Sequence, residues 1–222
     1  MLPDLSAVFE AYEQLRRRAD ALFARVRESD PDRVRCREGC SDCCHALFDL
    51  SLVEAMYINR AFLAAFEHGP RRSSIMSRAA RADRDLARLK RDMYRAEKSG
   101  ESPGAIMARA AGLKVPCPLL DEDSRCLMYA ARPITCRVYG VPAVVAGLAR
   151  VCGFSGFEKG KPCPAVYLDK IQTRLDELSR EIKTAVNSRL SALHEVYVPL
   201  STALLTDYDA AYLGAGPAKK ET

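Results

Sequence analysis

The residues with the most distinctive chemistry lie in one ten-residue stretch, CREGCSDCCH, from Cys36 to His45. It holds four cysteines with the spacing C-x3-C-x2-C-C, together with one of the three histidines of the chain. Thiolates this close in sequence favour chelation, and they select zinc, copper(I) or iron–sulfur clusters. Because neighbouring side chains point in different directions, we expect Cys43 and Cys44 to differ in surroundings. One of them would face a first metal centre, and the other a second centre or the core.

A second group of cysteines lies later in the chain, at Cys117, Cys126, Cys136, Cys152 and Cys163. Their spacing is wide, so only the fold can bring them together. Pro133 suits the first position of a helix, which would place Cys136 in the first turn. Backbone N–H groups and the helix dipole favour a thiolate at that place. Cys163 lies between two prolines and is the least expected ligand of the nine cysteines.

Eight thiols are therefore predicted to bind metal: Cys36, Cys40, Cys43, Cys44, Cys117, Cys126, Cys136 and Cys152. They can hold two four-thiolate centres, or one larger cluster with extra thiols, unless several are ordinary buried cysteines. His45 is either a further ligand or a neighbour of the site. Arg132 and Arg137 flank Cys136, and we predict that they lie just outside the bound cofactor and offset its negative charge.

The metal is either zinc or the iron of an iron–sulfur cluster, since both accept four thiolates. Cysteine outnumbers histidine by nine to three. This excess, with the flanking arginines, favours an anionic iron–sulfur cluster over zinc.

Composition excludes several other classes of protein. The chain has 222 residues, 48% of them hydrophobic, so it can bury a sizeable core without disulfides. An odd number of cysteines also fits a disulfide framework poorly. Residues 1–20 lack the basic start and unbroken apolar stretch of a signal peptide. No run approaches the ~18 apolar residues of a membrane span. We therefore expect a cytoplasmic protein that does not bind membranes, with reduced thiols.

The elements that must position these cysteines are mostly helical. Apolar residues at steps of three and four predict long helices at about 4–28, 73–98 and 165–195, and a shorter one at 51–67. The cysteine-rich part, 31–164, lies among them and includes a short β-hairpin around Ala146-Gly147. The predicted fold class is mainly α: a single domain over 1–222, in which a helical bundle carries two cysteine-rich loop regions that converge on a metal site.

The predicted helix at 73–98 belongs to a strongly basic segment. Residues 71–98 contain ten Lys and Arg against four Asp and Glu, a net charge of +6, whereas the whole chain carries +5. The simplest interpretation is a solvated helix face. The alternative is a docking surface for an acidic protein partner. Aromatic residues are not interleaved with these charges, so a nucleic-acid partner is not expected.

Two segments together, CREGCSDCC and CPLLDEDSRCLMYAARPITCRVYG, resemble the CxxCxxCC family of zinc- or iron-chelating domains, also called YkgJ-like cysteine cluster proteins. In that family a dense cysteine group is followed by C-P-x-L, C-x-x-Y, R-P and C-R. This chain has Cys117-Pro118, Leu120, Cys126, Tyr129, Arg132-Pro133 and Cys136-Arg137 at matching places. Three residues separate Cys36 from Cys40, where the family name has two. The resemblance covers about 36–140 and implies binding of a metal or cluster.

Three functions remain open at this point. The first is binding of an iron–sulfur cluster or zinc for metal handling or redox chemistry. The second is a cluster-dependent enzyme, because some relatives resemble flagellin lysine N-methylases. The third is a zinc-stabilised interaction module that would use the basic helix to dock its partner.

Overall fold

The computed structural model describes residues 2–111, 113–145, 147–158 and 160–216. These residues form a mainly helical fold with a few short strands. The helices are α1 (Ser6–Ser29), α2 (Leu52–Ala65), α3 (Pro70–Lys98), α4 (Pro103–Ala111), α5 (Ile134–Val138), α6 (Leu168–Ala185) and α7 (Leu200–Leu205). The strands are β1 (Asp49–Ser51), β2 (Ala143–Val145), β3 (Leu148–Arg150), β4 (Val166–Tyr167) and β5 (Tyr197–Pro199).

Helix α2 lies at the centre of the packing and joins two hydrophobic clusters. One face, with Leu52 and Met56, belongs to a cluster formed mainly with α1, α5 and α6. The other face, with Ile58 and Phe62, packs with α7 and the first half of α3. A helix that is apolar on most sides is stable only when buried, and α2 is buried in this way.

The predicted fold class is confirmed, although some helix boundaries differ. Helix α3 begins at Pro70 rather than at 73, because proline at the first helical position already has a helical φ. The helix predicted to run to 195 ends at Ala185, and Asn187 then adopts a left-handed φ of 49°. Helix α4 was not expected, since its first two residues, Pro103 and Gly104, are of the types with the lowest helix propensity.

Only part of α3 packs as the periodic pattern predicts. Ile75, Ala79 and Ala82 are buried, whereas Leu86, Leu89 and Met93 are half-buried. The apolar stripe in this second half of α3 borders a cavity instead of another helix. No helix in the described ranges is long and apolar enough to cross a membrane.

Two small sheets hold the cysteine-bearing segments against the helices. Strands β2 and β3 form the predicted antiparallel hairpin, whose turn has Gly147 at a φ of +72°; Ala146 lies outside the described residues. Strand β4 adds to β2 in parallel, which the sequence did not predict. Strand β1 pairs with β5 across a long sequence separation, and this pairing was also not predicted.

Candidate metal centre

The first cysteine group lies on the loop between α1 and β1. The backbone N–H of Cys40 bonds to the carbonyl of Arg37, and Gly39 between them has a φ of +84° that favours glycine. This tight turn brings Cys40 back towards Cys36. A single 3-10 turn, Asp42–His45, then carries Cys43 and Cys44.

The second group is attached to the first by a backbone hydrogen bond. The N–H of Cys117 donates to the carbonyl of Cys44 at 2.7 Å. Cys126 lies opposite Leu120 in an isolated antiparallel bridge. Cys136 occupies the first turn of α5, as the sequence predicts, and Cys152 follows the β2–β3 hairpin.

The two groups meet around a cavity of about 770 Å³. Seven of the eight predicted ligands border it: Cys40, Cys43, Cys44, Cys117, Cys126, Cys136 and Cys152. Cys36 borders a small adjoining cavity, together with Cys40, Cys43 and Cys152. Cys163 borders neither and packs against the first hydrophobic cluster. The structure therefore gathers all eight predicted thiols, while their role as metal ligands stays a prediction.

The neighbouring residues Cys43 and Cys44 do face different surroundings. Cys43 borders both cavities, whereas Cys44 is buried and borders only the larger one. Their side chains are nevertheless hydrogen-bonded to each other, because a 3-10 turn is tight.

Hydrogen bonds make Cys43 the thiol most ready to ionise. Cys136 and Cys44 donate S–H groups to its sulfur, which lowers the pKa of Cys43 well below the usual value for a thiol. The same bonds, with burial, raise the pKa of both donors. Metals bind thiolates rather than thiols, so a lowered pKa is the property expected of a metal-binding cysteine.

Burial keeps the surrounding thiols protonated until a metal displaces their protons. It raises the pKa of Cys36 to about 11 and that of Cys117 to about 12. It also raises the pKa of Cys126 and Cys152. All nine cysteines are free thiols, and within the described ranges no three Cys, His, Asp or Glu side chains are already arranged to hold one ion. Binding must therefore draw the sulfurs together.

The donor set fits the metals that the sequence predicts. Thiols outnumber every other donor at the cavities, and thiolates are ligands for zinc and for iron–sulfur clusters. His45 borders the larger cavity, and its Nδ1 lies 3.1 Å from the carbonyl oxygen of Ser41. That oxygen only accepts, so Nδ1 carries the hydrogen and Nε2 is left for other partners.

The two arginines predicted beside the site differ in position. Arg132 borders the larger cavity and stacks on Tyr129 at 3.6 Å. Its charge adds to the hydrogen bonds that lower the pKa of Cys43 and opposes the burial that raises the pKa of Cys126. Arg137 does not border either cavity. Its Nη1 instead binds both carboxylate oxygens of Asp20 on α1, at 2.8 and 2.6 Å. Arg137 thus fastens α5 to α1, and its predicted place just outside the cofactor stays a prediction.

Sequence reasoning missed a buried carboxylate that holds the Cys136 helix. Glu54 is only 4% exposed, and its Oε1 accepts the N–H of Ile134 at 3.1 Å and the hydroxyl of Tyr12 at 3.4 Å. Its Oε2 accepts from the backbone and side chain of Ser51, at 3.3 and 3.1 Å. The pattern Ser51-x-x-Glu54 before an apolar helix is a capping box and could have identified it.

Asp42 and Tyr139 were missed as well. The Asp42 carboxylate accepts from Cys152 Sγ at 3.5 Å and from the Tyr139 hydroxyl. Burial, followed by the charge of Asp42, raises the pKa of Tyr139 to about 12. Asp42 thus connects the 3-10 turn to the segment after the hairpin. Its position between Cys40 and Cys43 in the sequence could have identified it as a residue of the site.

A helical scaffold that gathers eight reduced thiols around adjoining cavities defines a metal-binding protein of the cysteine-cluster type. Residues 35–153 match the model of the CxxCxxCC family, described as "Putative zinc- or iron-chelating domain". This match covers more than half of the chain, which therefore belongs to that family. Comparison with curated proteins and with solved structures finds no match.

Proposed function

We propose that this chain binds an iron–sulfur cluster through its clustered thiols and serves in redox chemistry or metal handling in the cytoplasm. The observation that carries the proposal is the cavity of about 770 Å³ bordered by seven thiols. A structural zinc site is closed by four ligands around one ion and needs no such volume. A cluster of several iron and sulfide ions takes up more space than one zinc ion, and this cavity has room for it.

Electrostatics supports the same assignment. A thiolate-bound cluster carries negative charge, and hydrogen bonding and nearby charge tune its potential. Arg132 is a permanent cation at the cavity, and its charge opposes the rise in pKa that burial causes at Cys36 and at Cys126. It is thus placed to offset thiolate charge at both ends of the site.

A cluster-dependent enzyme is the second candidate, because the larger cavity also has an apolar wall. Leu86, Leu89 and Met93 of α3 border it, as do Leu113 and Val115 of the loop after α4. Its volume lies within the range of roughly 300–1,000 Å³ that small-molecule sites occupy. A substrate bound there would lie beside the thiols, as catalysis at a cluster requires.

The third candidate, a zinc-stabilised interaction module, draws support from the surface of α3. Arg81, Arg84, Arg88 and Arg91 are exposed along it. Such a face suits an acidic protein partner and would lose affinity as salt is added.

Anaerobic purification followed by a visible spectrum and by iron, zinc and sulfide analysis tests the proposal. We expect brown protein that contains iron and acid-labile sulfide and bleaches on reduction. Cys136→Ala should lose the iron and sulfide, whereas Cys163→Ala, whose thiol lies outside both cavities, should keep them. Colourless protein with zinc alone would overturn the cluster assignment and favour the interaction module.

A further inference from the structure

The small cavity beside the main one has the size of a single ion site. Its volume is about 10 Å³, and four thiols border it: Cys36, Cys40, Cys43 and Cys152. Roughly 10–15 Å³ holds one water molecule, so this space has no room for a cluster of several ions. Four thiols match the ligand number of a closed tetrahedral site, and their sulfurs must draw closer together to hold one ion.

Close packing and hydrogen bonding hold two of these thiols, Cys36 and Cys152, at the small cavity. Gly140 lies against Cys36 so tightly that an added Cβ would be 2.2 Å from the Cβ of Cys36 and 2.9 Å from its sulfur. Cys152 is held from the other side by its hydrogen bond to Asp42. Its carbonyl also accepts the N–H of Ser155 at 3.0 Å.

The remaining four thiols border only the larger cavity, and they are Cys44, Cys117, Cys126 and Cys136. Cys117 and Cys126 pack against the second hydrophobic cluster, whereas Cys36 packs against the first. Of the first set, only Cys36 borders the small cavity alone, whereas Cys40, Cys43 and Cys152 border both cavities, so the two sets adjoin each other. These two sets differ from the two sequence groups. Cys44 belongs to the first sequence group but borders only the larger cavity, and Cys152 belongs to the second sequence group but borders the small cavity.

We propose that the chain holds two metal centres: a single tetrahedral ion, zinc or iron, bound by Cys36, Cys40, Cys43 and Cys152, and a separate cluster bound by Cys44, Cys117, Cys126 and Cys136. Only one part of this inference rests on the proposed function, namely that the second centre is an iron–sulfur cluster. Cys43 borders both cavities, and Cys44 and Cys136 donate hydrogen bonds to its sulfur, so the two centres are neighbours. Arg132 borders the larger cavity and not the small one.

Metal analysis of paired variants tests the division. Cys152→Ser removes a ligand of the single ion, Cys117→Ser removes a ligand of the cluster, and Cys163→Ser is the matched control. With zinc supplied during anaerobic expression, we expect the native chain and the control to carry about one zinc per chain beside iron and sulfide. Cys152→Ser should lose that zinc and keep the iron and sulfide, and Cys117→Ser should do the reverse. Loss of all metals together in both variants would overturn the proposal in favour of one centre.

The native chain provides a test that does not depend on how the variants fold. A zinc chelator should remove the single ion while the visible spectrum of the cluster stays unchanged. Simultaneous loss of zinc and colour would contradict two separate centres. If the native chain contains no sulfide, the cluster assignment fails on its own. The assignment of the eight thiols to two centres then requires that Cys152→Ser and Cys117→Ser each lose about half of the bound metal, and any other result overturns it.

Discussion

Glu54 offers the sharpest test of how the scaffold positions the cysteines, because one buried carboxylate joins α1, α2 and the helix of Cys136. Replacing Glu54 by alanine leaves the N–H groups of Ile134 and Ser51 without their acceptor. Each unsatisfied buried group costs about 1–3 kcal/mol, and removing the buried carboxylate offsets part of this loss. We expect Glu54→Ala to lower the free energy of unfolding by about 3 kcal/mol.

Glu54→Gln keeps the shape of the side chain and replaces one carboxylate oxygen, an acceptor, by an amide NH2 group, a donor. It should therefore lower the free energy of unfolding by only about 1 kcal/mol. Urea unfolding followed by far-UV circular dichroism measures both values, with the two variants and the native chain in the same metal state. Glu10→Gln, on the exposed side of α1, is the control and should change the free energy of unfolding by less than about 0.5 kcal/mol.

The pH dependence of the Glu54→Gln effect has a defined sign. Burial raises the pKa of Glu54 in the folded chain. The folded state therefore binds this proton more tightly than the unfolded state, and the contribution of Glu54 to stability falls as pH rises through its folded pKa. The difference in unfolding free energy between the native chain and Glu54→Gln should accordingly shrink as pH rises. A difference that grows with pH would refute the argument, because it would mean that the hydrogen bonds stabilise the charged form more than burial destabilises it.

Two further substitutions test the contacts around the site. Gly140→Ala should displace Cys36, lower the free energy of unfolding by about 1–3 kcal/mol and release the single ion, whereas Gly153→Ala, whose added Cβ meets nothing within 4 Å, should do neither. Arg137→Met should lower the free energy of unfolding by about 1–3 kcal/mol, since it removes buried hydrogen bonds to α1 and to two carbonyl groups. Arg17→Met breaks only an exposed pair and should cost less than about 0.5 kcal/mol. Thermal unfolding and zinc analysis measure these effects, and equal values for either substitution and its control would contradict the packing described.

Local sequence was enough to predict most of the helices and the cysteine-bearing segments. Apolar residues at steps of three and four predicted α1, α2, α3 and α6, because a helix that buries one face must show this period. Pro133 predicted the start of α5, and β-branched residues around Gly147 predicted the hairpin. These features depend on residues close together in the chain, where spacing carries the information.

Long-range contacts could not be predicted in the same way. The pairing of β1 with β5, the hydrogen bond from Cys117 to Cys44 and the turning of Arg137 towards Asp20 all join residues distant in the chain. The second half of α3 was expected to pack against other helices, but it borders a cavity. An apolar stripe has the same period whether its partner is another helix or an empty space.

The sequence by itself determined that this protein gathers thiols for a metal, since four cysteines within nine residues and five more downstream have few other uses in a chain that does not need disulfides. Only the tertiary structure decided which thiols are neighbours. It placed Cys152 with Cys36 and Cys44 with Cys117, because the 3-10 turn directs adjacent residues to different sides and the hairpin returns the chain to the first loop. Spacing along the chain specifies the donors, whereas the backbone path through space specifies the sites.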